Sequence, residues 1–297
     1  MKSSIKTKKK KITMFDVVIY SIATFMFVVV AYPLVMVLSC SISDPGLVAT
    51  GQVLLWPKEI TFEGYRQLLN NPDILMGYGN TIFYTVLGTL INLAVTIPAG
   101  YVLSKNMVPG TKLFTGLFMF TMYFSGGMIP TFLLVNSLGL YNTRAVLLIL
   151  GAFSTYNCII CRSFFSGMPE ELEEAARIDG CSPIGTFFKI VLPLSKALIG
   201  VMVLYFGVGH WNGYFNAMIY INDDAKQPLQ VFLRRILILA QVSANMDEAG
   251  EYAAHLADME ALIRYAVIVV ASAPLLILYP FLQKYFDKGV LIGSVKG

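Results

Sequence analysis

Three groups of residues in this chain of 297 have types and spacings that could do chemistry. The first is an acidic segment, Met168–Pro193, reading MPEELEEAARIDGCSPIGTFFKIVLP. Glu170, Glu171, Glu173 and Glu174 crowd the start of a helix, where carboxylates favour the positive end of its dipole. Pro169 suits a first helical position, and Gly180, just past Asp179, supplies a left-handed cap. Ser182-Pro183 reads as the N-cap and first residue of a second helix, which bends near Pro193. The second group is His210, Trp211, Asn212, Tyr214 and Asn216, an aromatic and amide cluster inside an apolar stretch. The third is Cys158 and Cys161, a C-x-x-C. A redox or metal role needs thiolate character and a polar setting; these cysteines have neither and read as buried. With Cys40 and Cys181 they make no disulfide framework.

Other chemistry is excluded. The chain has no Gly-Lys dipeptide, so a phosphate-binding G-x-x-x-x-G-K-[ST] loop is impossible. No metal-ligand cluster, Ser/His/Asp set or pair of carboxylates lies at membrane depth, which argues against an enzyme, and His255 has no companion ligand. The net charge of +4 sits at the ends of apolar segments instead of forming a stripe, so nucleic acid is not a partner.

The elements that must position these groups are membrane helices. The chain is 56% hydrophobic and 13% charged, against about 25% charged in soluble domains. A span needs about 20 mostly apolar residues. Candidates are 14–41, 79–104, 113–135, 145–165, 194–221 and 264–283, so the expected fold is all-α, a bundle of six transmembrane helices. A basic N-terminus, 1–13, with Lys6, Lys8, Lys9, Lys10 and Lys11, precedes a first span too long for a cleaved leader. Lys105, Lys112, Arg177, Lys189, Lys284, Lys288 and Lys296 fall in alternate short segments, which places both termini inside. Residues 14–297 form one domain, with an inner loop at 166–193 and long outer loops at 42–78 and 222–263. Within the last, Leu229–Gln241 reads as an amphipathic helix, either a docking element or an interfacial helix on lipid.

The acidic helix therefore lies on the inner side, where it either docks a soluble partner or is a solvated connector. At about 1.5 Å per residue, Trp211 lies roughly 25 Å along the fifth span. Polar groups at that depth face a bundle interior or wet cavity. An aromatic face beside amides suits a sugar, which offers C–H faces and hydroxyls; interfacial anchoring and helix–helix packing suit the same residues. Asn92, Pro98, Ser125-Gly126-Gly127 and Pro130 read as packing or gate features.

The inner loop resembles the cytoplasmic signature of binding-protein-dependent ABC importer permeases. Glu174-Ala175-Ala176, Gly180, Ile190, Leu192 and Pro193 keep each of its spacings. The whole chain is similar to the maltose-type carbohydrate permeases of type I importers, through the long outer loops, Trp211-Asn212 and the tail Phe281-Leu282-Gln283-Lys284-Tyr285-Phe286. Gly213 departs from the acidic residue many such relatives carry there. The resemblance implies a subunit in a bacterial cell membrane that imports a sugar or oligosaccharide by alternating access. Glu170, Glu171, Glu174, Ala175, Ala176, Asp179, Gly180 and Pro193 would couple it to an ATPase, with Glu174 holding the loop by hydrogen bonds. The implied partners are a second permease, two ATP-binding cassette subunits holding ATP and Mg, an extracytoplasmic solute-binding protein, and lipid. This chain itself would bind no cofactor. A permease for a peptide, phosphate or amino acid, or a stand-alone secondary transporter, are the alternatives.

Overall fold

The computed structural model describes residues 13–105, 109–243 and 263–280, and among them every regular element is helical. The N-terminal lysines, His255 and the tail from Phe281 lie outside the described residues. The chain divides into two compact units, 1–68 with 239–269 and 69–238 with 270–297.

The first unit holds α1 (Met14–Ser41) and α2 (Pro45–Ala49). Thr13 and Asp16 form a capping box that starts α1. Along most of α1 the apolar side chains point outward, and only Ser39, Cys40 and Ser41 are buried. That is the pattern of a helix solvated by lipid. The residues after α1 fold back on its end: Ser39 Oγ donates to the Leu55 carbonyl at 2.6 Å and Tyr65 Oη to Ser41 Oγ at 2.7 Å. Cys40, Val48 and Val53 form a small core beneath.

After α3 (Glu63–Asn70), the second unit is organised by α4 (Pro72–Ser104). At about 1.5 Å per residue this rod is roughly 50 Å long. It begins earlier than the sequence pattern places it, because Asn71 accepts from the Asp73 N–H and Pro72 fills the first position. Apart from Ile74 and Ile97, its buried stripe is small or polar, including Gly77, Asn80, Thr81, Tyr84, Gly88, Asn92, Thr96 and Gly100. Such residues let helices approach closely where lipid provides no hydrophobic drive between them. A Cβ on Gly77 would lie 2.9 Å from the Phe232 ring, and one on Gly88 2.5 Å from the His210 ring.

The remaining expected spans are interrupted. α5 (Thr111–Tyr123) and α6 (Met128–Ser137) meet at 111° across Phe124–Gly127. Gly127 there has φ +87°, which no side chain favours. The fourth expected span is two short helices, α7 (Arg144–Ile149) and α8 (Thr155–Ser166), separated by Leu150–Ser154. Next come α9 (Glu171–Ile178), α10 (Pro183–Thr186), a π turn at Phe187–Val191, α11 (Leu192–Leu194) and α12 (Lys196–Trp211). The fifth expected span breaks at Asn212–Tyr214 before α13 (Phe215–Tyr220). α14 (Leu229–Ser243) is the amphipathic helix read from sequence, and α15 (Ile263–Pro280) is the last described element. Among the described residues, α1, α4 and α15 are long and apolar enough to cross a membrane unbroken, and the two bent pairs raise the total to five.

Against α4 pack α8 and α12, around a core of Ile97, Cys161, Phe165, Phe187, Val191, Leu198, Met202 and Phe206. Cys158 and Cys161 are free and buried, as expected. At its N-terminal end α4 grips the connector before α14. Asn80 Nδ2 donates to the carbonyls of Ala225 (2.9 Å) and Gln227 (3.0 Å), while its Oδ1 accepts from Arg144 at 3.1 Å. Tyr84 Oη donates to the Lys226 carbonyl, and Thr81 Oγ1 accepts the Leu229 N–H. Asn142, held at φ +58°, accepts the N–H groups of Asn222 and Asp223 from the other side. Asp223 is held below the usual carboxylate range by its hydrogen bonds to Lys226 and to the Ala225 N–H.

Asn80→Ala leaves two carbonyls and a guanidinium without their partner. It should lower unfolding stability by about 1–3 kcal/mol, read as a drop in the thermal midpoint of the detergent-solubilised protein, while Asn71→Ala, at a solvent-exposed cap, shifts it less.

Candidate functional site

Two places gather polar groups with no purely structural need. The first is the segment from α9 to α12. Helix α9 has Glu170 at its N-cap and Glu171, Glu173 and Glu174 in its first turn. Pro169 lies before the helix, not at its first position. Gly180, at φ +76°, ends it, with Asp179 N–H bonded to the Ala175 carbonyl and Cys181 N–H to that of Ala176. A Cβ at Gly180 would meet nothing within 4 Å, so the backbone conformation, not space, demands glycine. Ser182 Oγ then accepts the Gly185 N–H at 3.1 Å and caps α10 ahead of Pro183. Pro193 has no N–H to continue the ladder, and the helix before it loosens: Leu192 N–H bonds the Phe187 carbonyl, a π-type link. After Ser195 the chain turns by 80° into α12, the bend that Pro193 predicts.

Only one side of α9 is held. Ala176 is buried, and Glu173 forms an ion pair with Lys105, at the C-terminal end of α4. The Lys105 ammonium also lies 4.9 Å over the Tyr101 ring, which packs on Phe165 and Phe187. Glu174, expected to tie the loop, is exposed, and Glu173 makes the tie instead. Helical geometry explains this: Glu173 and Ala176 are three residues apart and share the inward face. The outward face carries Glu170, Glu171, Glu174, Ala175, Asp179 and Ile178, the last 86% exposed.

The second place is a cavity of about 370 Å³ where the interruptions of the fourth and fifth expected spans face α4. Broken helices are tolerated at membrane depth where they line a cavity or are buried in protein. Asn92, wholly buried, donates through Nδ2 to the Gly151 carbonyl. That fixes Oδ1 toward His210, whose Nε2 lies 2.7 Å away and must carry the proton. Ser154, Asn157, Tyr205 and Asn216 complete the polar lining.

The sequence cluster 210–216 thus divides. His210 and Asn216 line the cavity. Trp211 is buried on another face, donating to the Ala271 carbonyl at 2.9 Å. Asn212 is exposed and caps α12 through Val208. Tyr214 lies under the Arg234 guanidinium at 4.5 Å. Sequence reasoning missed Ser154, Asn157 and Lys105. The signal for the first two was a polar run, Ser154-Thr155-Tyr156-Asn157, inside an expected span.

Residues 8–292 match the family described as the binding-protein-dependent transport system inner membrane component. The chain belongs to that permease family. It is 44% identical over 265 residues to Protein LplC of Bacillus subtilis, covering 89% of each chain. It is 40% identical over 285 residues to the polygalacturonan/rhamnogalacturonan transport system permease protein YtcP of the same organism, covering 96% of this chain and 99% of that one. Among solved structures it resembles a chain of a bacterial ABC transporter involved in importing the acidic polysaccharide alginate, with a TM-score of 0.82 and 34% identity over 94% of this chain and 99% of that one. The permease is therefore membrane-embedded and a component of a transport system.

The Glu173–Lys105 pair sets where α9 sits on the permease. Lys105→Glu alone should destabilise that contact, and Lys105→Glu with Glu173→Lys should recover it. A double-mutant cycle on thermal unfolding should return a coupling of about 0.5–3 kcal/mol; additivity within about 0.3 kcal/mol would show the pair to be idle.

Proposed function

We propose that this chain is one of two permease subunits of an ATP-driven importer for a sugar or oligosaccharide. One observation carries the reading. Helix α9 is short, acidic, closed at its C-terminal end by Gly180 and fastened on one side only, with Ile178 bare on the other. Such a surface fits a cleft on a separate motor subunit, since this chain has no phosphate-binding loop of its own. The functions of YtcP and of the alginate importer support a carbohydrate substrate.

On this reading the chain crosses a bacterial cell membrane six times, the third to fifth crossings being the bent or broken ones, with both termini cytoplasmic. Glu170, Glu171, Glu174, Ala175 and Asp179 meet the ATPase, Ala176 and Gly180 keep the shape of α9, and Pro193 sets the elbow behind it. ATP and Mg belong to two ATP-binding cassette subunits, and this chain holds no cofactor. A second permease completes the path, and a solute-binding protein delivers substrate to the outer side, near α14. His210 and Asn216 line the path; Trp211, Asn212 and Tyr214 support its walls. Closure of the ATPase pair moves α9 and rocks the bundle between inward-open and outward-open states.

The test uses the complex co-purified from native membranes. A cysteine at Ala175 should crosslink to a nucleotide-hydrolysing neighbour. Charge reversal at Glu170 and Glu171 together, or Gly180→Leu, should reduce uptake by about tenfold or more while ATP hydrolysis continues. Normal transport by both variants, with no crosslink, refutes the assignment.

A further inference from the structure

We infer that the cavity between α4, α8 and α12 holds a carboxylate, so that the sugar units it receives are uronic acids. The inference rests on the importer reading and narrows its substrate class.

Asn157 is the starting point. It is only 9% exposed, it lines the cavity, and its side-chain amide bonds nothing among the described residues. A largely buried amide that no protein group satisfies, on a cavity wall, is open to a ligand. Asn157 sits in the first turn of α8, a helix of twelve residues capped by Ser154 Oγ. The Thr155 and Tyr156 N–H groups beside it also meet no acceptor among the described residues. Gly151, Phe153 and Ser154, which lead into that turn, line the same cavity. The cavity therefore receives a helix N-terminus with open donors, the arrangement that favours an anion.

The charges around it agree. No aspartate or glutamate lines the cavity. Arg144, which opens α7 and rests 5.5 Å over the Phe83 ring, is taken up by Asn80 Oδ1 and by the nearby Asp223 carboxylate. Arg234, stacked on Tyr214 between the lining residues Gly213 and Asn216, forms no ion pair with a described carboxylate. A guanidinium with no carboxylate partner among the described residues, beside a cavity without acids, raises the local concentration of anions. A neutral sugar would use Asn157, Ser154 and Asn216 equally well, but it would gain nothing from the helix end or from Arg234.

The test is binding to the importer purified with its partner subunits in nanodiscs, with trigalacturonate and its methyl ester as probes. The acid should bind about tenfold tighter than the ester, and the preference should weaken with salt. Asn157→Asp, nearly isosteric, should abolish the preference by repelling the acid far more than it weakens the ester. Arg234→Gln, at an exposed position, should reduce it by about threefold. Equal affinity for acid and ester, no binding of the acid, or undiminished acid binding in Asn157→Asp each overturn the site. If the importer then still takes up a neutral oligosaccharide, the importer reading stands without the carboxylate site. If it takes up no oligosaccharide of any kind, both fall.

Discussion

The second unit depends on close approach to a single helix. In a bilayer, lipid tails are as apolar as leucine, so helices gain little by hiding apolar faces from each other. What holds them is van der Waals contact at short range and hydrogen bonds across the interface. Helix α4 supplies both through one stripe. Gly77 admits Phe232, Gly88 admits His210, and Gly100 lies against Cys161. Between them Asn80 and Asn92 reach backbone carbonyls of the 221–229 connector and of Gly151. Without these small residues the segments around α4 could not come near enough for those bonds to form.

The same constraint explains the broken spans. A backbone group without a partner is expensive in hydrocarbon, so an interruption must be repaired locally. At Leu150–Ser154 the repair is partial: Asn92 takes the Gly151 carbonyl and Ser154 takes one N–H of α8. At Asn212–Tyr214 the amide of Asn212 bonds the Val208 carbonyl. At Pro193 a π turn absorbs the missing donor. The first two interruptions face one cavity, and the third turns the chain toward α9.

Local signals were legible in the sequence and contacts across the fold were not. Gly180, Ser182, Pro183 and Pro193 act through their own backbone, so their roles could be read from residue type and spacing. The same holds for the amphipathic pattern of α14 and for Cys158 and Cys161, whose apolar neighbours announce burial. The exchange of Glu174 for Glu173 shows the limit. Which of two adjacent glutamates turns inward depends on the position of Lys105, 68 residues away in the chain. The cluster 210–216 failed similarly. Periodicity put it on one helix, but α12 stops at Trp211 and distributes the side chains over three environments. Spans three to five were expected as unbroken apolar stretches, yet apolarity carries no information about straightness; Gly126-Gly127 and Gly213 were the available warnings.

One feature of α4 has a mechanical consequence. Its first turns are bolted through Asn80, Thr81 and Tyr84 to the connector that launches α14, and its last residue neighbour, Lys105, is bolted to α9. Between the two bolts the rod has no break, although Pro98 lies within it. At about 1.5 Å per residue they stand roughly 35 Å apart. A shove at either extremity therefore cannot be dissipated by a hinge on the way; it arrives at the far extremity as tilt or axial slip of the entire strut.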